Sequence, residues 1–198
     1  MKLSSVCLCM LIAPFYSSHA GDANIPVYFS FDAGANLMGK VQHPSTDLTL
    51  SMETGARFDA AIGYNFFRSD IINVGADLEM GFIYNGINHG TVDGETVNAS
   101  GYLIQVPLLV NARVQLIPSS NWNPYLSIGG GAIRSTLTFD WFHSSEEIEP
   151  AMQAAAGLTY DAGDILSIGI GYKYLVAFPN DLRRVVNHAA LVVFAFNY

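Results

Sequence analysis

One short segment, His143-Ser144-Ser145-Glu146-Glu147, sets a histidine, two hydroxyls and two carboxylates side by side. These are the residue types of acyl-transfer chemistry, in which a base activates a hydroxyl and an acid orients the base. The spacing argues against it. Neighbours crowded into one acidic loop cannot converge on a reacting carbonyl as side chains from separate elements can. The loop acids Asp140, Glu146, Glu147 and Glu149 could supply oxygens to a divalent cation, although a solvated loop has the same composition. His43, His89, His143 and His188 show no metal-ligand spacing. There is no glycine-rich phosphate loop and no basic nucleic-acid patch. The expectation is a protein that is not an enzyme and that carries no cofactor and no resident metal.

A second set of chemically active groups is spread along the chain: Arg57, Arg113 and Lys173 with Asp32, Glu53, Asp59, Asp77 and Glu79. Their meaning depends on the elements that carry them. In PVYFSFDAGANLM, Val27, Phe29, Phe31, Ala33, Ala35 and Leu37 alternate with Tyr28, Ser30, Asp32, Gly34 and Asn36. In ETGARFDAAIGYNFF, Ala56, Phe58, Ala60, Ile62, Tyr64 and Phe66 alternate with Arg57, Asp59, Gly63 and Asn65. Ile72 to Tyr84 and Tyr102 to Val114 repeat the pattern, as do a weaker stretch at 124–135, Met152 to Tyr160, Leu166 to Val176, and the terminal HAALVVFAFNY. Period-2 runs of about ten residues are the signature of membrane-spanning β-strands. Eight of them make an even number, as a single-chain bacterial barrel requires.

The connections alternate in length. Long polar segments near 39–52, 85–100, 136–149 and 177–187 are expected as loops, with short turns at Arg68-Ser69-Asp70, Asp161–Asp164 and around Pro118–Asn123. That asymmetry places the long loops outside and both termini on the periplasmic side. Most strand glycines, Gly63, Gly81 and Gly157 among them, share the phase of the charges, where they would leave room for larger inward residues. In a barrel this narrow each inward charge needs a partner. Two readings follow: a gated ion path, or a solid plug of paired charges, which the small bore favours. Pro107, in mid-strand, demands a bulge or a local break, because a closed barrel has no edge to shelter a missing N–H donor.

The amino terminus, MKLSSVCLCMLIAPFYSSHA, combines Lys2, an apolar run and small residues at Ser18 and Ala20. It is expected to be a secretory signal peptide over 1–20, leaving one barrel domain over 21–198. Cys7 and Cys9 both lie in it, so the mature chain would have no thiol. The chain is 51% hydrophobic with 13% charged residues, and removing Lys2 leaves 8 basic against 17 acidic residues, a charge of −9. That balance excludes nucleic acid as a partner. A soluble sandwich or lipocalin-like barrel would turn its apolar face inward, leaving these long outer apolar bands unexplained.

VPLLVNARV, NPYLSIGGGA, AAGLTYDAGDILSIGIGYKY and the terminal HAALVVFAFNY together resemble the outer-membrane β-barrel superfamily of small porin-like and opacity-type proteins, built like the eight-stranded OmpA/OmpX barrels. The resemblance covers essentially the whole mature chain and implies an outer-membrane location, with lipid as the surrounding partner. In that family a terminal aromatic is part of the signal read by the barrel-assembly machinery. Tyr198 stands in place of the usual phenylalanine, with Phe196, Phe194 and Val192 at the alternating positions behind it. An outer-membrane lipid A deacylase also uses a His/Ser/acid set on a small barrel, but on its strands and with a different spacing. Phe66, Trp122, Tyr160 and Tyr198 are expected at the periplasmic rim, with Tyr84, Tyr102, Tyr172, Tyr174 and Phe178 at the outer rim. Arg134 at the outer end would contact lipid phosphates or snorkel. The functional expectation is a structural or surface-interaction role, with the extracellular loops binding a ligand and the barrel as scaffold. A narrow channel for small solutes is the alternative, and a lipid-modifying enzyme the third.

Overall fold

A computed structural model of the chain describes residues 26–42, 48–92, 94–118, 120–139, 142–179 and 184–197. The expected signal peptide, with Cys7 and Cys9, lies outside the described residues, as do His43, Asp140 and Tyr198. Among the described residues every regular element is a strand. In order they are β1 (Val27–Met38), β2 (Val41–Gln42), β3 (Thr49–Met52), β4 (Gly55–Arg68), β5 (Ile72–Val92), β6 (Glu95–Val97), β7 (Gly101–Leu116), β8 (Trp122–Phe139), β9 (Phe142–Asp161), β10 (Leu166–Ala177) and β11 (Val185–Asn197).

Eight of these close a ring. Each of β1, β4, β5, β7, β8, β9, β10 and β11 pairs antiparallel with its neighbours along the chain, and β11 returns to β1. The closing register runs from Tyr28 opposite Asn197 to Met38 opposite Asn187. The terminal segment is therefore held through Asn197 because it is the last stave of the barrel. The three short strands β2, β3 and β6 add to one end of β5.

The alternation sorts side chains as a barrel in lipid must. Phe31, Phe58, Ile62, Leu78, Met80, Leu108, Ile128 and Ile170 are exposed on the outer wall, while Ser30, Asp32, Arg57, Asp59, Asp77, Glu79 and Lys173 are buried inside. The apolar side faces hydrocarbon and the polar side finds partners within the ring. The barrel-assembly positions Val192 and Phe194 are exposed on this wall, and Phe196 packs edge-on against Phe31 at 6.3 Å.

One expectation needs correction. The segments read as long loops are largely strand. β5 is 21 residues long, β8 18 and β9 20, against the roughly 9–11 that cross a bilayer. They rise past the membrane as tall hairpins, and β2 and β3 occupy most of the described part of 39–52. Once a strand leaves lipid its outer face meets water, so the apolar side moves inward. Ile87 is buried inside, whereas Leu78 and Phe82 lower on the same strand are exposed outside. Composition alone made these polar outer faces look like loop.

At Pro107 the wall takes the second of the two expected accommodations, a local break. β7 is continuous through it, and the β5–β7 register is the same on both sides: Met80 faces Leu108, and Ile83 faces Gln105. The pairings between them are missing, so the break is confined to Gly81 and Phe82 opposite Pro107 and Val106. Pro107 still pairs with Ile133 on β8. A local gap without a bulge suffices because proline removes one donor and leaves the extended backbone intact.

Candidate functional site

The lumen is filled in layers. At mid-height, Asp32 on β1 stands directly opposite Asp59 on β4, a like-charge pair that would repel on its own. Lys173 resolves it from across the bore. Its Nζ lies 2.7 Å from Asp32 Oδ2, 2.8 Å from Asp59 Oδ2 and 3.0 Å from Glu79 Oε2. Arg57, fully buried, donates from Nε to Asp59 at 2.8 Å and from Nη2 to Glu79 Oε1 at 3.2 Å, and Nη2 also binds the Gln153 carbonyl oxygen. Gln153 Nε2 donates in turn to Glu79 at 3.0 Å. Five of the eight expected lumenal charges thus form one mesh, drawn from four strands.

The other three stand apart. Asp77 accepts from the Tyr28 hydroxyl at 2.7 Å and from Asn111 Nδ2 at 2.7 Å. Arg113 was expected to pair with the inward carboxylates but makes no ion pair among the described residues. Its guanidinium is stacked between the Tyr28 ring at 5.3 Å and the Tyr125 ring at 4.2 Å, a cation–π arrangement suited to a desolvated arginine. Two glycines make this possible. Gly63 faces Tyr28 and Gly157 faces Tyr125, and a Cβ at either would collide with the ring. Glu53 is not in the lumen. It precedes β4, outside the wall's alternation, with an exposed side chain beside Gly86. Its backbone serves instead, donating to the Gly86 carbonyl at 2.8 Å and accepting from Asn85 Nδ2 at 2.8 Å.

Asp32 Oδ1, Arg57 Nη1, Asn111 Oδ1 and Arg113 Nε are buried without a hydrogen-bond partner among the described residues. Asp32 and Arg113, with Asp77, Glu79 and Lys173, line a cavity of about 20 Å³. That is room for a single water, and far from a bore.

Above the mesh lies an amide layer. Asn36 Nδ2 donates to Asn85 Oδ1 at 2.7 Å and to Asn187 Oδ1 at 2.9 Å, and Asn187 Nδ2 donates to Gln105 Oε1 at 3.0 Å. Apolar side chains interleave with these polar ones, Leu109 opposite Glu79, Ile83 opposite Gln105 and Leu175 opposite Asn187, and with Ile87 and Ile133 they pack with Val41 and Leu50 of the β2–β3 hairpin at that end. Nothing in the sequence reading anticipated this apolar packing. The signal was present, since Ile83, Leu109, Ile133 and Leu175 are apolar residues in the polar phase of their strands.

The rims hold the aromatic residues. Trp122 packs on Tyr160 at 5.0 Å at the short-turn end. Tyr84 stacks on Tyr102 at 5.9 Å toward the other end, where the Tyr172 hydroxyl bonds His188 Nδ1 at 2.5 Å. Arg134 is exposed and engaged with Glu146 at 2.8 Å. At the mouth, Glu149 is buried beyond the last β9–β10 bond, in which Phe178 N donates to the Pro150 carbonyl. Burial pushes its carboxyl up to about 7; the adjacent Glu147 carboxylate adds to the rise and the Ser135 hydroxyl opposes it. His143, Ser144 and Ser145 lie on β9, and the side chains of these three fall outside the described set.

Residues 6–196 match the family described as outer membrane protein beta-barrel domain, and the chain belongs to that family. It is an integral protein of the bacterial outer membrane. No curated protein matches it in sequence. Among solved structures, the Neisserial surface protein NspA superposes with a TM-score of 0.63 at 13% identity, over 89% of this chain and 100% of that one. The Yersinia pestis attachment invasion locus protein Ail, in complex with the heparin analogue sucrose octasulfate, gives 0.50 at 16% identity over 86% and 99%. The Escherichia coli outer membrane protease OmpT gives 0.51 at 6% identity over 90% and 99%. At these identities the likeness is one of fold, and the fold serves enzymes and non-enzymes alike.

Proposed function

We propose that the protein is a closed, non-catalytic barrel that acts as a scaffold, presenting its tall hairpins as a surface-interaction element of the adhesin-like kind. The observation that carries this reading is the filled lumen: a charge mesh, and toward the long-hairpin end amides interleaved with the apolar side chains of Ile83, Ile133 and Leu175, on which Val41 and Leu50 pack. An ion crossing it would shed its hydration among amides already bonded to one another and the apolar side chains packed between them. Ail binds a polyanion analogue in the structure named above; the long-hairpin segments of this chain, at 39–54, 85–100, 134–149 and 177–184, carry nine acidic against four basic residues. Their charge favours a cationic or cation-bridged partner instead. Assembly follows the family signal at Val192, Phe194, Phe196 and Tyr198, read by the barrel-assembly machinery.

Planar-bilayer recording tests the closure. The refolded protein should show no unitary conductance, and Arg113→Ala should stay silent too, because the amide and apolar packing toward the long-hairpin end remains in place. Stable conductance steps in the wild type would replace the scaffold with a narrow channel. Altered outer-membrane lipid in cells expressing the protein would instead point to an enzyme.

A further inference from the structure

The buried carboxylates of the barrel divide into two kinds. Asp32, Asp59 and Glu79 are held by Lys173 or Arg57. Asp77 has a tyrosine hydroxyl and an asparagine amide. Glu149 is different. Its residue is only 3% exposed, and its Oε2 has no partner among the described residues. Its polar neighbours on the hairpin are the Ser135 hydroxyl and a second carboxylate, Glu147. No described lysine or arginine pairs with either glutamate, since Arg134 is spent on Glu146.

Ser135 is itself fixed. Its hydroxyl oxygen accepts from Gln105 Nε2 at 3.1 Å, and Gln105 is tied to Asn187 in the amide layer. The two glutamates alternate with outward residues on β9 and pair through Glu147 with Ser135 and through Glu149 with Ile133 on β8. They therefore share the inner side of the hairpin, at the level of Ile133.

We propose that Glu147 and Glu149, with the Ser135 hydroxyl, form a divalent-cation site at the long-hairpin mouth, of the class that Ca²⁺ fills. Two carboxylates on one inner face, two residues apart and without a basic residue, repel unless something positive lies between them, and a hard dication with oxygen ligands supplies that charge. Two protein carboxylates and a hydroxyl leave several positions for water, which sets the affinity in the range of weak extracellular calcium modules, about 10⁻⁴–10⁻³ M. The bound ion would clamp β9 to β8 where β9 has passed the end of β10.

The test is calorimetric titration of the folded barrel in detergent micelles with CaCl₂ at pH 8, repeated with MgCl₂ and KCl. One saturable Ca²⁺ site is expected, with Mg²⁺ weaker and K⁺ silent. Glu149→Gln and Glu147→Gln should each weaken Ca²⁺ at least tenfold, and Glu146→Gln, which touches only the Arg134 pair, should leave it unchanged. Heat-dependent gel mobility confirms that each variant is folded. If Glu149→Gln does not fold, Glu147→Gln, at a half-buried position, decides. Absence of a saturable Ca²⁺ signal in the wild type, or one that survives both Gln variants, overturns the proposal.

Discussion

Lys173→Met asks whether the mesh holds the barrel together. The lysine Nζ lies within 3.0 Å of Asp32, Asp59 and Glu79. At an effective dielectric near 20 each contact has a gross attraction of about 5–6 kcal/mol, most of which is offset by the cost of desolvating four charges. Methionine keeps the stem and removes the charge. Three carboxylates would then face Arg57 alone, and breaking a buried network in this way costs about 3–5 kcal/mol. Asp32 is the informative second site, because Lys173 is its one ion-pair partner among the described residues. In the wild type Asp32→Asn breaks a contact; in the Lys173→Met background it removes an uncompensated charge. The double variant should therefore be more stable than the sum of the singles by about 1–3 kcal/mol. Urea unfolding of the barrel in micelles, followed by tryptophan fluorescence and gel mobility, measures all four corners. Lys173→Met within about 1 kcal/mol of the wild type would refute the reasoning. So would Asp32→Asn proving equally damaging in both backgrounds.

Leu78→Arg and Ile168→Arg face lipid and should each cost about 2–4 kcal/mol, while Ser167→Arg points inward, where Asp161 already bonds the serine hydroxyl at 2.6 Å; the same urea assay ranks them, and the reverse order would invert the phase of β10. Deleting Tyr198, or Tyr198→Asp, should sharply lower assembled barrel while export to the periplasm continues, read by fractionation with heat-dependent gel mobility. The raised carboxyl of Glu149 makes the folded state bind more protons than the unfolded one between about 4.5 and 7. Wild-type stability in chelator should therefore fall as pH rises through that window, and Glu149→Gln should flatten the slope. Parallel pH profiles for the two proteins would show that Glu149 titrates normally.

Much of the wall was legible because a barrel in lipid writes its phase strongly: Phe31 against Asp32, Phe58 against Asp59, Leu78 against Glu79. The same rule located Arg57 and Lys173 inside, since period 2 fixes the side a residue faces. It could not say which charges meet. Arg113 and Lys173 look alike in the pattern, yet one reaches three carboxylates and the other is stacked between tyrosines. That difference arises from strand stagger, which brings residues distant in sequence to one height. Glu53 was misplaced because an acidic residue just ahead of β4 continues the pattern by eye while the wall begins at Gly55. The apolar packing at the long-hairpin end was missed for a physical reason: above the bilayer the outer face turns polar and the inner face apolar. Ile87 then looked like an exception to the membrane rule when it obeys the rule for a soluble sheet.

The charges kept inside bear on the ones left outside. Within the lumen Arg57, Arg113 and Lys173 stand against Asp32, Asp59, Asp77 and Glu79, an excess of one negative charge. The chain as a whole has a net charge of −8, so most of it lies outside this buried set. Charge stored in the bore would suggest selectivity for a passing ion; charge displayed outside it acts on whatever approaches the surface. At physiological salt such a field reaches about 8 Å. On the scaffold reading proposed above, it would steer a cationic partner or concentrate dications at the mouth. The proposed surface role should then be salt-sensitive, and barrel stability, which rests on buried pairs, much less so.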